Sequence, residues 1–352
     1  MTASETTIHP PSSSHRETAL WFGAFGSDSR PRQPLSPGAW TCIAATAIPL
    51  WCTWPALALW SLEMPAFECL TVAFGVGWLV MALVSRRAQP RGHATPSQEA
   101  VSQGAASHEA ALHSAASQTP TPSTSSRMAK SWLPAVACAL GLSGSNAFHI
   151  LATHHIPAAE ANLLSYLWPV EIVAAGAMLK LFRLRARQWI GLVLGLVGAV
   201  VLMSGGQLSF GSDGSFVGVG LAVLSGVSWA AYCVFRLKWG DRPARDALGT
   251  GFAISAVLCV ALHFAMEPTV IPTVSALGAA AAVGVVPLAF GNFAWDEGFR
   301  RGDSQLLAIL AYATPLCSAL LLVTLGLQAM TWSLLAGAII IVTAGMLSRA
   351  AG

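Results

Sequence analysis

Ten long apolar runs leave few folds open to this chain. They are Ala39–Trp60, Pro65–Val84, Trp132–Leu151, Ala158–Phe182, Gln188–Ser204, Val217–Phe235, Ala247–Met266, Val274–Trp295, Ser304–Leu325 and Trp332–Leu347. An apolar run of about 20 residues has the length of a helix that crosses the hydrocarbon core of a bilayer. Composition agrees: 54% of residues are apolar and 10% are charged, whereas a globular domain carries about 25% charged residues. The runs predict an all-α integral membrane protein of ten transmembrane helices, with the lipid bilayer as its surroundings. A formal charge of +3 over 352 residues suggests no nucleic-acid partner.

The basic residues orient the helices. Arg16, Arg30 and Arg32 precede the first run, and Arg86, Arg87, Arg91, Arg127 and Lys130 fall between the second and third. Lys180, Arg183, Arg185 and Arg187 join the fourth and fifth, and Arg236, Lys238, Arg242 and Arg245 join the sixth and seventh. Arg300 and Arg301 join the eighth and ninth, and Arg349 follows the tenth. That places all 19 Lys and Arg residues in alternate loops and leaves the others without any. Loops rich in Lys and Arg stay on the cytoplasmic side. The expectation is a multi-pass protein of the cell inner membrane with both termini cytoplasmic.

Residues 1–38 are rich in Ser, Pro, Thr and Arg and read as a disordered cytoplasmic tail without a signal peptide. Residues 86–130 read as a disordered cytoplasmic linker. Its His93, His108 and His113 lack ligand spacing. The seven cysteines all fall inside apolar runs without CxxC pairs, so neither a disulfide framework nor a zinc site is expected. No metal or cofactor is expected at all.

The chain also repeats itself. Asn146 and Asn292, Leu164 and Leu310, Tyr166 and Tyr312, Pro169 and Pro315, and Gly191 and Gly337 share one offset, 146 positions. The tyrosine match is the most telling, because the chain has only three. Five helices separate the copies, so the second enters the membrane from the opposite side. Residues 39–204 and 217–349 then form two inverted five-helix repeats. That symmetry suits a transporter whose central site opens to either face in turn. Duplication without alternation, as in a channel, is the competing reading.

Several segments carry a family likeness. Tyr166-Leu167-Trp168-Pro169 follows Glu160, with Ala152-Thr153-His154-His155 before it. Leu50-Trp51-Cys52-Thr53, Trp229-Ala230-Ala231-Tyr232-Cys233 and Tyr312-Ala313-Thr314-Pro315 lie in the first, sixth and ninth runs. In this order the segments resemble the drug/metabolite transporter superfamily, EamA type, and within it the aromatic amino acid exporters of bacterial inner membranes. The resemblance covers the ten runs and implies two inverted repeats around a central cavity. It also implies export of aromatic or hydrophobic amino acids and related metabolites. Ser165 and Asp296 stand where the family pattern has Asn, and Glu171 where it has an apolar residue, so fine substrate choice is left open.

Trp51, Trp54, Tyr166, Trp168, Trp229, Tyr232, Trp295 and Tyr312 lie within the runs, away from the interfacial belt where tryptophan collects. They suit a cavity that stacks an aromatic substrate; helix packing is the other reading. Asn146 and Asn292 suit helix bridging or a substrate's polar end. Pro169 and Pro315 each free a backbone carbonyl, as a hinge or as a packing kink. Glu171 is the most deeply placed charge; it suits a substrate ammonium, a proton, or a silent acid. Asp296 and Glu297 are expected to pair locally with Arg300 and Arg301. A broad-specificity drug or metabolite exporter is the alternative within transport. An intramembrane enzyme is disfavoured, because the chain has no HExxH, GxSxG or GxxxxGK motif. Oligomeric state and energy coupling are not written in the runs.

Overall fold

The computed structural model describes residues 35–88, 124–183, 185–204, 215–240 and 243–349. Most of the expected tail and linker, residues 1–34 and 89–123, lies outside the described residues. Residues 34–82 and 124–352 form one compact unit. The second unit, residues 1–33 and 83–123, contributes only the end of one helix to the described residues.

Backbone groups in hydrocarbon have no water to bond, so the chain satisfies them within helices. Among the described residues every regular element is helical. In order they are α1 (Pro37–Ala45), α2 (Ala47–Trp60), α3 (Ala66–Ala88), α4 (Thr124–Thr153), α5 (Ala158–Ser165), α6 (Trp168–Met178) and α7 (Ala186–Met203). Then come α8 (Phe216–Trp239), α9 (Ala244–Met266), α10 (Val274–Val283), a π-helical turn (Gly284–Gly291), α11 (Asn292–Arg301), α12 (Ser304–Leu310), α13 (Ala313–Thr324) and α14 (Trp332–Arg349). Among the described residues eight stretches are long and apolar enough to cross a membrane: Pro37–Trp60, Ala66–Arg87, Val136–Thr153, Ala186–Met203, Phe216–Trp239, Ala244–Met266, Val274–Arg301 and Ser304–Thr324. Two further apolar segments are shorter, α14 and the pair α5–α6. Large apolar side chains such as Val193, Val257, Phe264 and Ile339 stand exposed on the outside, as lipid contact requires.

Two features depart from continuous runs. Helix α4 begins at Thr124, inside the expected linker, because good helix formers such as Arg127, Met128, Ala129 and Lys130 extend it at little cost. The fourth run is broken at Tyr166–Leu167, and the ninth at Ala311–Tyr312. Proline explains both breaks. Pro169 has no N–H for the Ser165 carbonyl, and Pro315 none for that of Ala311, so the next helix restarts with proline in its first turn. The first run breaks at Thr46, ahead of Pro49, in the same way.

The offset of 146 positions reappears in the backbone. Helices α5 and α12 start at 158 and 304, and α7 and α14 at 186 and 332. Lys180 (φ 58°) and Gly326 (φ 71°), both left-handed, follow α6 and α13. Leu181 N–H then closes on Gly176 O and Leu327 N–H on Leu322 O, each at 2.8 Å, the reverse turn that satisfies the last carbonyls of a helix.

The two halves of the chain interlock. Helix α2 packs on α10, the π-helical turn and α13, while α8 packs on α4, α5 and α6. Helices α7 and α14 meet where both lack side chains. A Cβ at Gly198 would lie 3.1 Å from Gly337 O, and one at Gly337 would lie 2.8 Å from Gly198 O. At one end a set of carboxylates ties loops together. Glu267 accepts from Phe67 N–H (3.0 Å) and Glu68 N–H (3.3 Å) at the start of α3, and its Oε2 lies 3.0 Å from His263 Nδ1. Glu63, in the α2–α3 loop, accepts from Thr273 N–H at 2.6 Å and from the Thr273 hydroxyl. Those two donors hold the Glu63 carboxyl below the usual carboxylate range.

Candidate functional site

Helices α2, α4, α5, α6, α8, α11 and α13, with the π-helical turn, surround a cavity of about 320 Å³, within the range of small-molecule sites. Its apolar wall is tryptophan. Trp51 on α2 lies edge-on to Trp168 on α6 (6.3 Å, 90°) and to Trp229 on α8 (5.8 Å, 80°). Trp168 meets Trp229 edge-on at 6.3 Å. Behind them Trp295 on α11, 1% exposed, lies 5.1 Å from Trp51 and 5.7 Å from Trp168. Edge-to-face contacts lock the rings against one another.

The remaining wall mixes Pro55, Leu142 and Leu288 with polar side chains and carries no carboxylate, Lys or Arg. Asn146 and His149 come from one face of α4, Asn162 and Ser165 from α5, Ser225 from α8 and Asn292 from the start of α11. Trp51 Nε1–H donates to Asn292 Oδ1 at 3.1 Å, so the first tryptophan is oriented by the start of α11. The π-helical turn before Asn292 contains Pro287, which cannot donate. The wider turn sets the rotation of α11, and π turns recur at functional sites.

Beyond Trp295 the molecule closes on a buried ion-pair network. Asp296 accepts from Arg236 Nε (2.8 Å) and Nη2 (2.7 Å), from the Tyr232 hydroxyl (2.7 Å) and from Arg300 Nε (3.2 Å). The Arg236 and Asp296 side chains are each 1% exposed. Glu297 Oε2 pairs with Arg300 (2.9 Å) and Arg301 (2.8 Å), and its Oε1 accepts from the N–H of Ala244, the first residue of α9. Arg300 Nη1–H donates to Gly240 O at the end of α8. One network thus fastens α8, α9 and α11 together. The local pairs were expected; the reach to Arg236 was not, since its place at a helix end reads as a loop charge.

This arrangement, a tryptophan cavity between interlocked halves, can be set against known proteins. Residues 216–349 match the EamA-like transporter family. Over those residues the chain is EamA-like. The EamA match covers α8 to α14, and wider similarities extend beyond it. The chain is 37% identical over 190 residues to the aromatic amino acid exporter YddG of Ancylobacter novellus, covering 54% of this chain and 66% of that protein. It is 26% identical over 211 residues to the YddG exporter of Salmonella typhimurium, covering 56% and 68%. The match thus spans just under two thirds of the first of these relatives. A solved crystal structure superposes with a TM-score of 0.73 at 29% identity, covering 90% of this chain and 98% of that one. The EamA family and these relatives are transporters, which points away from an enzyme.

The cavity gathers Trp51, Asn146, Tyr166, Trp168, Trp229 and Asn292. It leaves four of the sequence candidates off its wall. Trp295 backs the other tryptophans, and Tyr232 serves the Asp296 network. Tyr312 is fully buried, its ring filling the place where Gly195 lacks a side chain. Glu171 turns toward α8: a Cβ at Gly226 would lie 2.6 Å from its Oε2, which has no hydrogen-bond partner. Pro169 and Pro315 are buried in the first turns of α6 and α13. Trp54, one of the aromatic residues within the runs, also lines the cavity, and so do His149, Asn162, Ser165, Ser225, Thr314 and Ser318, which were not singled out as site residues. Helical spacing could have found His149, which lies three positions from Asn146.

Proposed function

We propose that the chain exports aromatic and other hydrophobic amino acids, and related metabolites, from the cytoplasm across the inner membrane. It does so by alternating access through the tryptophan-walled cavity. The observation that carries this reading is the wall itself: three edge-to-face tryptophans beside polar side chains, with no carboxylate, Lys or Arg. The rings suit an aromatic side chain, and the amides, hydroxyls and imidazole suit a zwitterion with no net charge. The names of the relatives support the same substrate class.

In this reading α5–α6 and α14 join the eight longer stretches to make ten spans. The spans form two inverted five-helix repeats, with both termini cytoplasmic. The closed end bearing Arg236, Arg300 and Arg301 is cytoplasmic, and the cavity faces the other side. The test is counterflow of labelled L-Trp, L-Phe and L-Ala in proteoliposomes. Trp and Phe should exchange, and Trp168→Ala should lower both several-fold more than any aliphatic substrate, for the loss of about 0.5–1.5 kcal/mol of ring contact. Equal losses for ring and aliphatic substrates would remove the tryptophan wall from substrate recognition.

A further inference from the structure

The cavity's polar groups are already partly committed, and their commitments give the wall a direction. Asn146 Nδ2 donates to Leu142 O at 2.8 Å. A carbonyl accepts only, so the amide is oriented and its Oδ1 is left as an acceptor. Asn292 is oriented the opposite way. Trp51 Nε1–H can only donate, so it fixes Asn292 Oδ1 as acceptor and leaves Nδ2–H as donor.

Counting hydrogens fixes the tautomer of a neutral His149. Its Nδ1 lies 3.2 Å from Ser165 Oγ, and Ser165 Oγ lies 3.2 Å from Ala222 O. Ser165 has one hydrogen, and a carbonyl needs it. Both contacts are hydrogen bonds only when Nδ1 carries a hydrogen and donates to Ser165. In that tautomer Nε2 is a bare acceptor. Asn146 and His149 are three positions apart on α4, so their acceptors stand on one helix face. Both line the cavity.

Resting on the transport reading above, we infer that α4 receives the substrate's α-ammonium group, through His149 Nε2 and Asn146 Oδ1, while Asn292 Nδ2 takes its α-carboxylate. An amino acid then enters in one orientation, with its ring on the tryptophans. Glu171, the other candidate for an ammonium, packs behind the wall against Gly226, a residue of the lining, and is not itself among the lining residues. The site discriminates by presence of the two groups: a donor-only amine loses the Asn292 contact, and an acid without nitrogen meets two acceptors with nothing to give.

The experiment is counterflow of labelled L-Phe in proteoliposomes, with competition by unlabelled L-Phe, phenethylamine and 3-phenylpropionate. In the wild-type protein both analogues should compete about tenfold or more weakly than L-Phe, the worth of one hydrogen bond to a charged group. In His149→Leu the gap between L-Phe and 3-phenylpropionate should shrink several-fold, while the gap to phenethylamine stays. In Asn292→Leu the pattern should reverse. His149→Gln, which keeps an acceptor, should hold the first gap open. Equal competition by L-Phe and 3-phenylpropionate in the wild-type protein would overturn the ammonium site without any variant. So would a His149→Leu protein whose gaps stay unchanged or move together. An absence of L-Phe counterflow in the wild type would instead remove the transport reading itself.

Discussion

Asp296 takes hydrogen bonds from three side chains, Tyr232, Arg236 and Arg300, in a place where it is 2% exposed. A carboxylate so placed neutralises Arg236, which sequence reading left among the loop charges. Asp296→Asn keeps the shape but removes the anion beside a buried guanidinium. Breaking a buried pair from one side costs about 3–5 kcal/mol. The variant is expected to melt well below the wild type in detergent. The double variant Asp296→Leu with Arg236→Met should recover most of the loss, because no buried charge then lacks its partner. A double variant no more stable than Asp296→Asn would show that the network matters for its geometry and not for its charge.

Proline placement governs the elements. Each interrupted run breaks where a proline in the next first turn has no N–H to offer, so α5–α6 and α12–α13 carry matched joints at Tyr166–Leu167 and Ala311–Tyr312. If the halves work in opposition, Pro169→Ala and Pro315→Ala should bias the cavity toward opposite faces. Labelling of a cysteine placed in the cavity, from each side of the membrane, reads this directly. A shift in the same direction in both would reduce the prolines to packing features. The caps after α6 and α13 make a simpler forecast. Lys180 holds a left-handed backbone where Gly326 sits at the matching position. A side chain there costs about 1–2 kcal/mol, partly offset by glycine's freedom in the unfolded chain. Lys180→Gly is expected to stabilise the protein by about 0.5–1 kcal/mol, seen as a higher thermal midpoint. A lower midpoint would mean that the lysine side chain contributes more than its backbone strain costs.

At the scale of the molecule, one end is held by buried charge and the other by loop carboxylates. Glu63 receives both the N–H and the hydroxyl of Thr273, which ties the α2–α3 loop to the loop after α9. Its carboxyl is held below the usual value. A carboxylate favoured in this way adds stability above its ordinary pKa of about 4.3, and that contribution fades as pH falls through the lower folded value. Thermal midpoints measured between neutral pH and strong acid should therefore fall less steeply in Glu63→Gln than in the wild type. Identical slopes would show that the Thr273 contact is not maintained in the solubilised protein.

The sequence determined the membrane class, because apolar runs of bilayer length cannot be solvated in any other state. It also located the tryptophans, the prolines and the 146-position offset that the backbone repeats in its caps and helix starts. It did not determine which of these side chains share a space. A helix that is apolar on all sides has no preferred face in its own pattern, so Trp229 and Tyr232 read alike although one lines the cavity and the other binds Asp296. The rotation of each helix was decided by contacts between distant residues: the Gly198–Gly337 crossing, the π turn ahead of Asn292, and the breaks at Tyr166 and Tyr312. Those contacts turned His149 into the cavity and Glu171 toward Gly226, because a helix settles where close packing and hydrogen bonding can both be met.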